Sequence, residues 1–318
     1  MVVGGWWEWT AGQGDTPGAT RFCFEPENPH QGSTLIKKLL PAAAHKRYAA
    51  CMAVTLTVLA SGSRGNCSIV ASGRTRILVD AGLSGRETFK RIRASGEDPH
   101  TLAAILISHE HSDHICGLAT LAKKLGIPVY LTDATYQVCR KLLRDKAGVT
   151  WKPERVETFN SGCSFTVGDI SVTPFTIPHD AADPVAFTFR AEGVKLAIVT
   201  DLGYMPASVR HHVRGCDVLM LESNHDLEML RGGPYPWSVK QRVMSRVGHL
   251  SNDALAEFFA SDYDGNAAFV VLAHLSEQNN HPELARGTAE RALSGRRTLL
   301  HNRVLLASQS APLEPLRL

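Results

Sequence analysis

From residue 54 onward the apolar positions fall into short blocks, and the period inside the blocks changes along the chain. Residues 55–60, 67–71 and 75–80 are rich in β-branched and aliphatic side chains, and Ser61-Gly62-Ser63-Arg64-Gly65-Asn66 and Ser72-Gly73 separate them. That punctuation predicts strands joined by tight turns. Ser84 followed by Glu87 has the form of a capping box and predicts a helix over 84–94. The unbroken apolar run 102–107 predicts a buried strand. A helix over 114–125 is stopped by Gly126-Ile127-Pro128, a strand follows at 129–131, and a further helix is expected over 134–146. A second series then begins. Strands are expected at 155–159, 164–167, 170–177, 185–191 and 196–200, a strand between helices at 218–222, helices at 238–246 and 252–260, a strand at 267–273, a helix at 282–293 and a closing strand at 303–307. Strands and helices followed by strands and helices again predict an α/β chain of two similar halves. The expected architecture is a four-layer αββα sandwich: helices outside, two mixed sheets inside, and a site at the sheet edge.

Directly after the apolar run 102–107 comes Ser108-His109-Glu110-His111-Ser112-Asp113-His114. Four potential metal ligands stand within six positions, and neutral imidazole with carboxylate suits Zn, Mn or Fe(II). Residues two apart project together from an extended or turning segment, so His109 and His111 can grip one ion. Asp113 and His114, at the mouth of the next helix, can grip a second. Further candidates end predicted strands: His179 in Ile177-Pro178-His179-Asp180, Asp201 in Thr200-Asp201-Leu202-Gly203, and His274 in Leu272-Ala273-His274-Leu275. Each alone reads first as an ordinary turn or cap residue. Together they supply what the first cluster lacks, because a carboxylate bridging two cations completes a two-metal site.

With 318 residues, 44% hydrophobic and 20% charged, the chain has ample core for one large domain or two small ones. A net charge of +3 is compatible with a polyanionic substrate without requiring one. The seven cysteines include no Cys-x-x-Cys pair. This argues against a disulfide framework or thiolate zinc site and fits a reducing, cytoplasmic location. No apolar run approaches the ~20 residues that span a bilayer, so no membrane partner is expected. Residues 1–51 contain Gly4-Gly5-Trp6-Trp7 and Gly12-Gln13-Gly14 without a sustained period or a secretory signal. They read as a disordered extension, through an upstream mis-assigned start, or alternatively as an accessory arm with Trp anchors. The domain is expected over 52–318.

The set His109-x-His111-x-Asp113-His114, His179, Asp201 and His274, with Asp80 at an upstream strand end, resembles the metallo-β-lactamase superfamily over about residues 52–293. Within it, Ser61-Gly62-Ser63-Arg64-Gly65-Asn66, Glu222-Ser223-Asn224-His225-Asp226, Pro234-Tyr235-Pro236-Trp237 and Gly248-His249-Leu250-Ser251-Asn252 resemble the YycJ/WalJ-type branch, which is associated with DNA exonuclease activity. Two features depart from that pattern: Arg64 stands where relatives commonly carry a small residue, and residues 1–51 have no counterpart. The resemblance implies the metallo-β-lactamase fold and two divalent ions, zinc foremost, with Mn or Fe as alternatives. It implies that His109, His111 and His179 hold one ion, Asp113, His114 and His274 the other, with Asp201 bridging and Asp80 fixing a ligand tautomer from the second shell. A metal-bridging hydroxide would then attack phosphorus. His249 resembles the histidine near the scissile phosphate in nuclease relatives, and alternatively flanks a helix capped by Ser251 or Asn252. His225 either orients a group through Glu222, a second-shell role for both, or packs in a turn.

Ser61, Ser63 and Asn66 lie in a loop whose N–H groups and hydroxyls suit phosphate oxygens, or form an ordinary glycine turn. Trp237, or Tyr235, could stack on a base. Arg140, Lys141, Arg144 and Lys146 on one predicted helix, and Lys240, Arg242 and Arg246 on another, would attract a phosphate backbone or simply face solvent. The leading function is therefore a two-metal phosphodiesterase on DNA, acting as a 5′-to-3′ exonuclease. The alternatives are a small-molecule metallo-hydrolase of cyclic phosphates or thioesters, a ribonuclease, and a metal-containing scaffold without turnover.

Overall fold

A computed structural model describes residues 54–144, 150–295 and 302–318. The expectations for residues 1–51 and for Lys146 lie outside them. Two seven-stranded sheets face each other among the described residues. In the first, β1 (Thr55–Ala60), β2 (Cys67–Ala71), β3 (Arg76–Val79), β4 (Ala104–Leu106), β5 (Val129–Thr132) and β6 (Val156–Phe159) lie in chain order, with the C-terminal β14 (Leu316–Arg317) beside β1. In the second, β7 (Phe165–Val167), β8 (Ile170–Thr176), β9 (Val185–Ala191), β10 (Val194–Val199), β11 (Val218–Glu222), β12 (Phe269–Ala273) and β13 (Arg303–Leu306) follow in order. The pairings β3–β4–β5–β6 and β10–β11–β12–β13 are parallel and the others antiparallel, so both sheets are mixed.

The period-2 geometry of strands sorts their side chains between two cores. Ile77, Val79, Ala104 and Leu106 meet Leu196, Ile198, Val218, Met220 and Val271 between the sheets. Leu78 and Ile105 turn outward against α1 (Gly85–Ala94), α3 (Leu118–Leu125) and α4 (Asp133–Leu142) through Ile92, Leu121 and Cys139. Ala197, Val199, Leu219, Leu221 and Leu272 turn to the opposite flank, against α5 (Ala207–Val213), α8 (Asn252–Ser261) and α9 (Pro282–Ser294). Strands covered on both faces carry apolar residues at consecutive positions. This is why 102–107 lacks alternation. The expected αββα layering is what forms.

Element ends differ from expectation where turn chemistry intervenes. The helix expected over 114–125 is broken into α2 (Ser112–Ile115) and α3 at Gly117, where an added Cβ would lie 2.1 Å from the Leu83 carbonyl. The chain must pass that close, and Gly117 N–H bonds to Ala81 O. Helix α4 ends at Leu142, so Arg144 lies beyond it. Ser84 caps α1 as expected, accepting from the Glu87 N–H, but the Glu87 carboxylate pairs forward with Arg91 at 2.9 Å. The helices α5 and α6 (Leu227–Gly232) flank β11 as expected, whereas strand β14 was not expected.

Candidate metal centre

Strands β8, β10, β11 and β12 run the same way, as do β3 and β4, and polar residues leave their carboxyl ends together. Asp80 follows β3, the segment 108–114 follows β4 and opens α2, His179 follows β8, Asp201 follows β10, and His274 follows β12. Three of them, Asp80 (φ 59°), Asp201 (φ 61°) and His274 (φ 53°), hold left-handed backbone. Such a conformation costs about 1–3 kcal/mol each in a non-glycine residue and persists only where the surroundings impose it. Burying one large apolar side chain contributes about 1.5–3 kcal/mol. The two-sided cores therefore offset this strain easily.

Ligand-capable atoms of His109, His111 and His179 lie within 4.8 Å of one another, as do those of Asp113, His114, Asp201 and His274. Asp201 Oδ2 is 3.1 Å from His114 Nε2, and its Oδ1 is 3.9 Å from His179 Nε2, so it stands between the groups. The tautomers fit metal ligation. His114 Nδ1 donates to Asp80 Oδ2 at 2.8 Å. His109 Nδ1 meets Ser108 Oγ at 3.0 Å, and that hydroxyl donates on to Asp80. His179 Nδ1 donates to Gly248 O at 3.2 Å and His274 Nδ1 to Glu222 Oε1 at 2.8 Å. Each ring's Nδ1 proton is thus engaged and its Nε2 turned to the shared space. His109 Nε2 is buried there with no hydrogen-bond partner, while His274 Nε2 faces Asp113 Oδ2 at 3.4 Å and Asp201 Oδ2 faces His114 Nε2 at 3.1 Å. His179 Nε2 and His111 Nδ1 face each other at 3.2 Å. An orphaned buried lone pair is costly, and convergent imidazole and carboxylate groups of this kind fit divalent metal ions.

The charges agree. Burial opposes charge on His114 and His274. Asp201, with Asp80 and Asp113 around His114 and Asp113 and Glu222 around His274, nevertheless holds both pKa values well above the ordinary histidine range. Burial pushes Asp201 up, yet those cationic rings hold it well below the carboxylate range. Without cations the cluster retains protons in their place, and metal binding would displace them.

Glu222 is fully buried, and its Oε1 accepts from both His249 Nδ1 and His274 Nδ1 at 2.8 Å. Burial raises its pKa, but the two imidazoles win and bring it down to about 2. Asp201, Glu222, His249 and His274 also cluster closely enough for an ion. Both rings spend Nδ1 protons on Glu222, however, so this is a proton-sharing clasp that ties His249 to a candidate ligand.

The remaining expected residues divide. His249 is partly exposed, and the cap of α8 is Ser251, accepting from Ala254 N–H at 3.1 Å. His225 turns Nδ1 to Asn224 Oδ1 at 3.3 Å instead of to Glu222, and it is paired in a bridge with Ser251. It packs in the turn. Trp237, at the start of α7 (Trp237–Val243), is 62% exposed. Ser63 is exposed, whereas Ser61 and Asn66 are buried. The N–H groups of Gly62, Arg64, Gly65 and Asn66 all donate within the protein, which corrects the expectation of a backbone phosphate cradle. Lys240 is buried with Nζ on Arg231 O, Arg242 pairs with Asp180, and Arg246 lies over the Tyr204 ring at 4.0 Å, so these three do not form a free basic face. Sequence reasoning missed Ser108 as the hub between Asp80, His109 and His114. It also missed Asp180, whose Oδ1 is 3.6 Å from His179 Nε2. Asp180 stood within a quoted motif, but adjacency to a ligand does not reveal direction.

Residues 75–275 match the family described as Beta-lactamase superfamily domain. The chain is 39% identical over 242 residues to "Exodeoxyribonuclease YycJ" of Bacillus anthracis, covering 76% of this chain and 90% of that one. It is 37% identical over 232 residues to "Exodeoxyribonuclease WalJ" of Streptococcus pneumoniae, covering 73% and 85%. Among solved structures, the metallo-β-lactamase fold protein YhfI of Bacillus subtilis superposes with a TM-score of 0.62 at 19% identity, covering 82% of this chain and 99% of that one. A diphosphatase of the PhnP family reaches 0.57 at 19% identity over 84% and 98%. These two carry the fold.

Proposed function

The chain belongs to the β-lactamase superfamily and is a metal-dependent hydrolase, and on that premise we propose that it is a two-metal phosphodiesterase hydrolysing DNA as a 5′-to-3′ exonuclease. The observation that carries the reading is the pair of ligand groups meeting at Asp201, joined to relatives that carry the exodeoxyribonuclease name at 37–39% identity. His109, His111 and His179 would hold one ion and Asp113, His114 and His274 the other, with Asp201 shared. Zinc suits the mixed imidazole–carboxylate set, as do manganese and iron. When bound, such ions supply an acidified water and neutralise charge developing on phosphoryl oxygens.

The chain's own residues do the rest. Asp80, directly and through Ser108, and Glu222 hold ligand imidazoles in the tautomer with Nε2 inward. His249 has its Nδ1 committed to Glu222, which leaves Nε2 to donate to the leaving oxygen. Burial disfavours the His249 cation, but Glu222 and Asp201 hold its pKa above the ordinary range, suiting an acid. On the substrate side, Trp237, Val239, Met244 and Val247 are four exposed large hydrophobics on one short segment. Val247 O accepts from Asp180 N–H, so this segment borders the His179 loop. We assign Trp237 there to base stacking and the exposed Ser63 hydroxyl to a phosphate contact. A cytoplasmic location accords with the five free cysteines among the described residues. Among those residues no helix is long and apolar enough to cross a membrane.

Turnover measured side by side on 5′-labelled DNA, the matching RNA and bis-nitrophenyl phosphate tests the reading. DNA should be degraded from its 5′ end at the highest kcat/KM. Preference for RNA, or turnover confined to the small diester, would overturn it.

A further inference from the structure

Hydrogen bonds from Ser61 and Asn66 reach only one of the two ligand groups. Asn66 is 4% exposed, and hydrogen bonding fixes the orientation of its amide. The Gly62 N–H can only donate, so the atom 3.0 Å from it is Oδ1. The Gly62 carbonyl can only accept, so the atom 3.2 Å from it is Nδ2. Oδ1 also takes the Ser61 hydroxyl at 3.2 Å. The second N–H of Nδ2 then points at Asp113 Oδ2, 3.3 Å away, with His114 Nε2 at 3.1 Å. A ligating His114 Nε2 has its lone pair engaged, so the Asp113 carboxylate is the acceptor. Asn66 also grips Asp113 by its main chain, donating N–H to the Asp113 carbonyl at 2.7 Å. Ser61 Oγ accepts the main-chain N–H of His274 at 2.8 Å, bracing its left-handed backbone. Asp113, His114 and His274 are the ligands assigned to the second ion alone. No hydrogen bond of Ser61 or Asn66 reaches His109, His111 or His179.

We propose that Ser61 and Asn66 are positioning residues for the second metal position only, setting its affinity through Asp113, His114 and His274 while leaving the first position independent. The proposal rests on the two-metal reading. It gives both residues a task other than phosphate binding. An outer-shell donor to a ligand typically sets metal affinity by about 10–100-fold. The geometry confines that effect to one ion.

The test is calorimetric titration of Zn²⁺ into the metal-free full-length protein, with elemental analysis after dialysis. Wild type should show two binding events, and Asp113→Ala identifies the one belonging to the second position. Asn66→Ala should weaken that event about 10–100-fold and leave the other unchanged. Ser61→Ala, which keeps the Asn66–Gly62 bonds, should weaken the same event by a smaller factor and serves as the readout if Asn66→Ala does not fold. Two unchanged events in the folded variants, or both weakened together, overturn the proposal. A single event in wild type instead removes the two-metal reading beneath it.

Discussion

Replacing Asp113 or His111 with Ala should reduce DNA hydrolysis by about 10³-fold or more while the protein stays folded. A metal that polarises a phosphoryl oxygen contributes several kcal/mol, and losing about 4 kcal/mol at 1.36 kcal/mol per decade gives that factor. Both residues leave the carboxyl end of β4, outside the apolar cores. His111 is partly exposed, so removing its ring opens no core cavity. Removing the Asp113 side chain frees Asn66 Nδ2 and the neighbouring rings but leaves its main-chain bond to Asn66. The melting temperature should therefore move by only a few degrees. The two variants should lose different ions, His111→Ala the first and Asp113→Ala the second. Wild-type turnover in either variant would sink the ligand assignment.

His249→Ala should lower kcat by roughly 10²–10⁴, the range for a positioned acid–base group, with metal content unchanged. Its effect should shrink on a nitrophenyl diester, whose leaving group needs no proton. Equal loss on good and poor leaving groups would assign His249 to charge stabilisation. The pH dependence has a definite sign. The folded pKa of His249 is raised above the unfolded value of about 6.5 because Glu222 outweighs burial. The ion pair thus contributes stability below that unfolded value and loses it as pH rises through the folded one. Wild-type activity should fall as pH rises through that folded pKa, and His249→Ala should lack that limb. Ser251 caps α8 independently, so little thermal stability should be lost. Normal turnover with a large drop in melting temperature would make His249 a structural residue.

The layering and the seven ligand candidates were legible because strands buried on both faces read as apolar runs, and because polar residues at their carboxyl ends break those runs abruptly. Asp80 came from the family resemblance alone; in the fold its Oδ2 accepts from His114 Nδ1 at 2.8 Å. What was not legible depends on direction. Glu222 ends β11 as Asp201 follows β10, but no pattern tells which imidazole it faces; the fold turns it to His249 and His274 and away from His225. Asn66 was expected at a phosphate, and its contact with Asp113 was not legible because that partner is 47 positions away and brought close by backbone contact. At Gly82 an added Cβ would overlap the Asp113 carbonyl at 1.6 Å, and that approach joins the 80–82 turn to α2. Lys240 sat in a basic series yet is buried, since a helix rotates its side chains by packing and not by charge.

The central claim is that two ions, seated on either side of Asp201, act together. Metal-free protein titrated with Zn²⁺ or Mn²⁺, with bound metal and DNA turnover read on the same samples, tests it most directly. Two ions should bind per chain. Turnover should stay near background through the first equivalent and rise with the second, and protons should be released as His114 and His274 exchange them for metal. Full turnover with a single ion bound, and no further uptake in excess metal, would contradict the account.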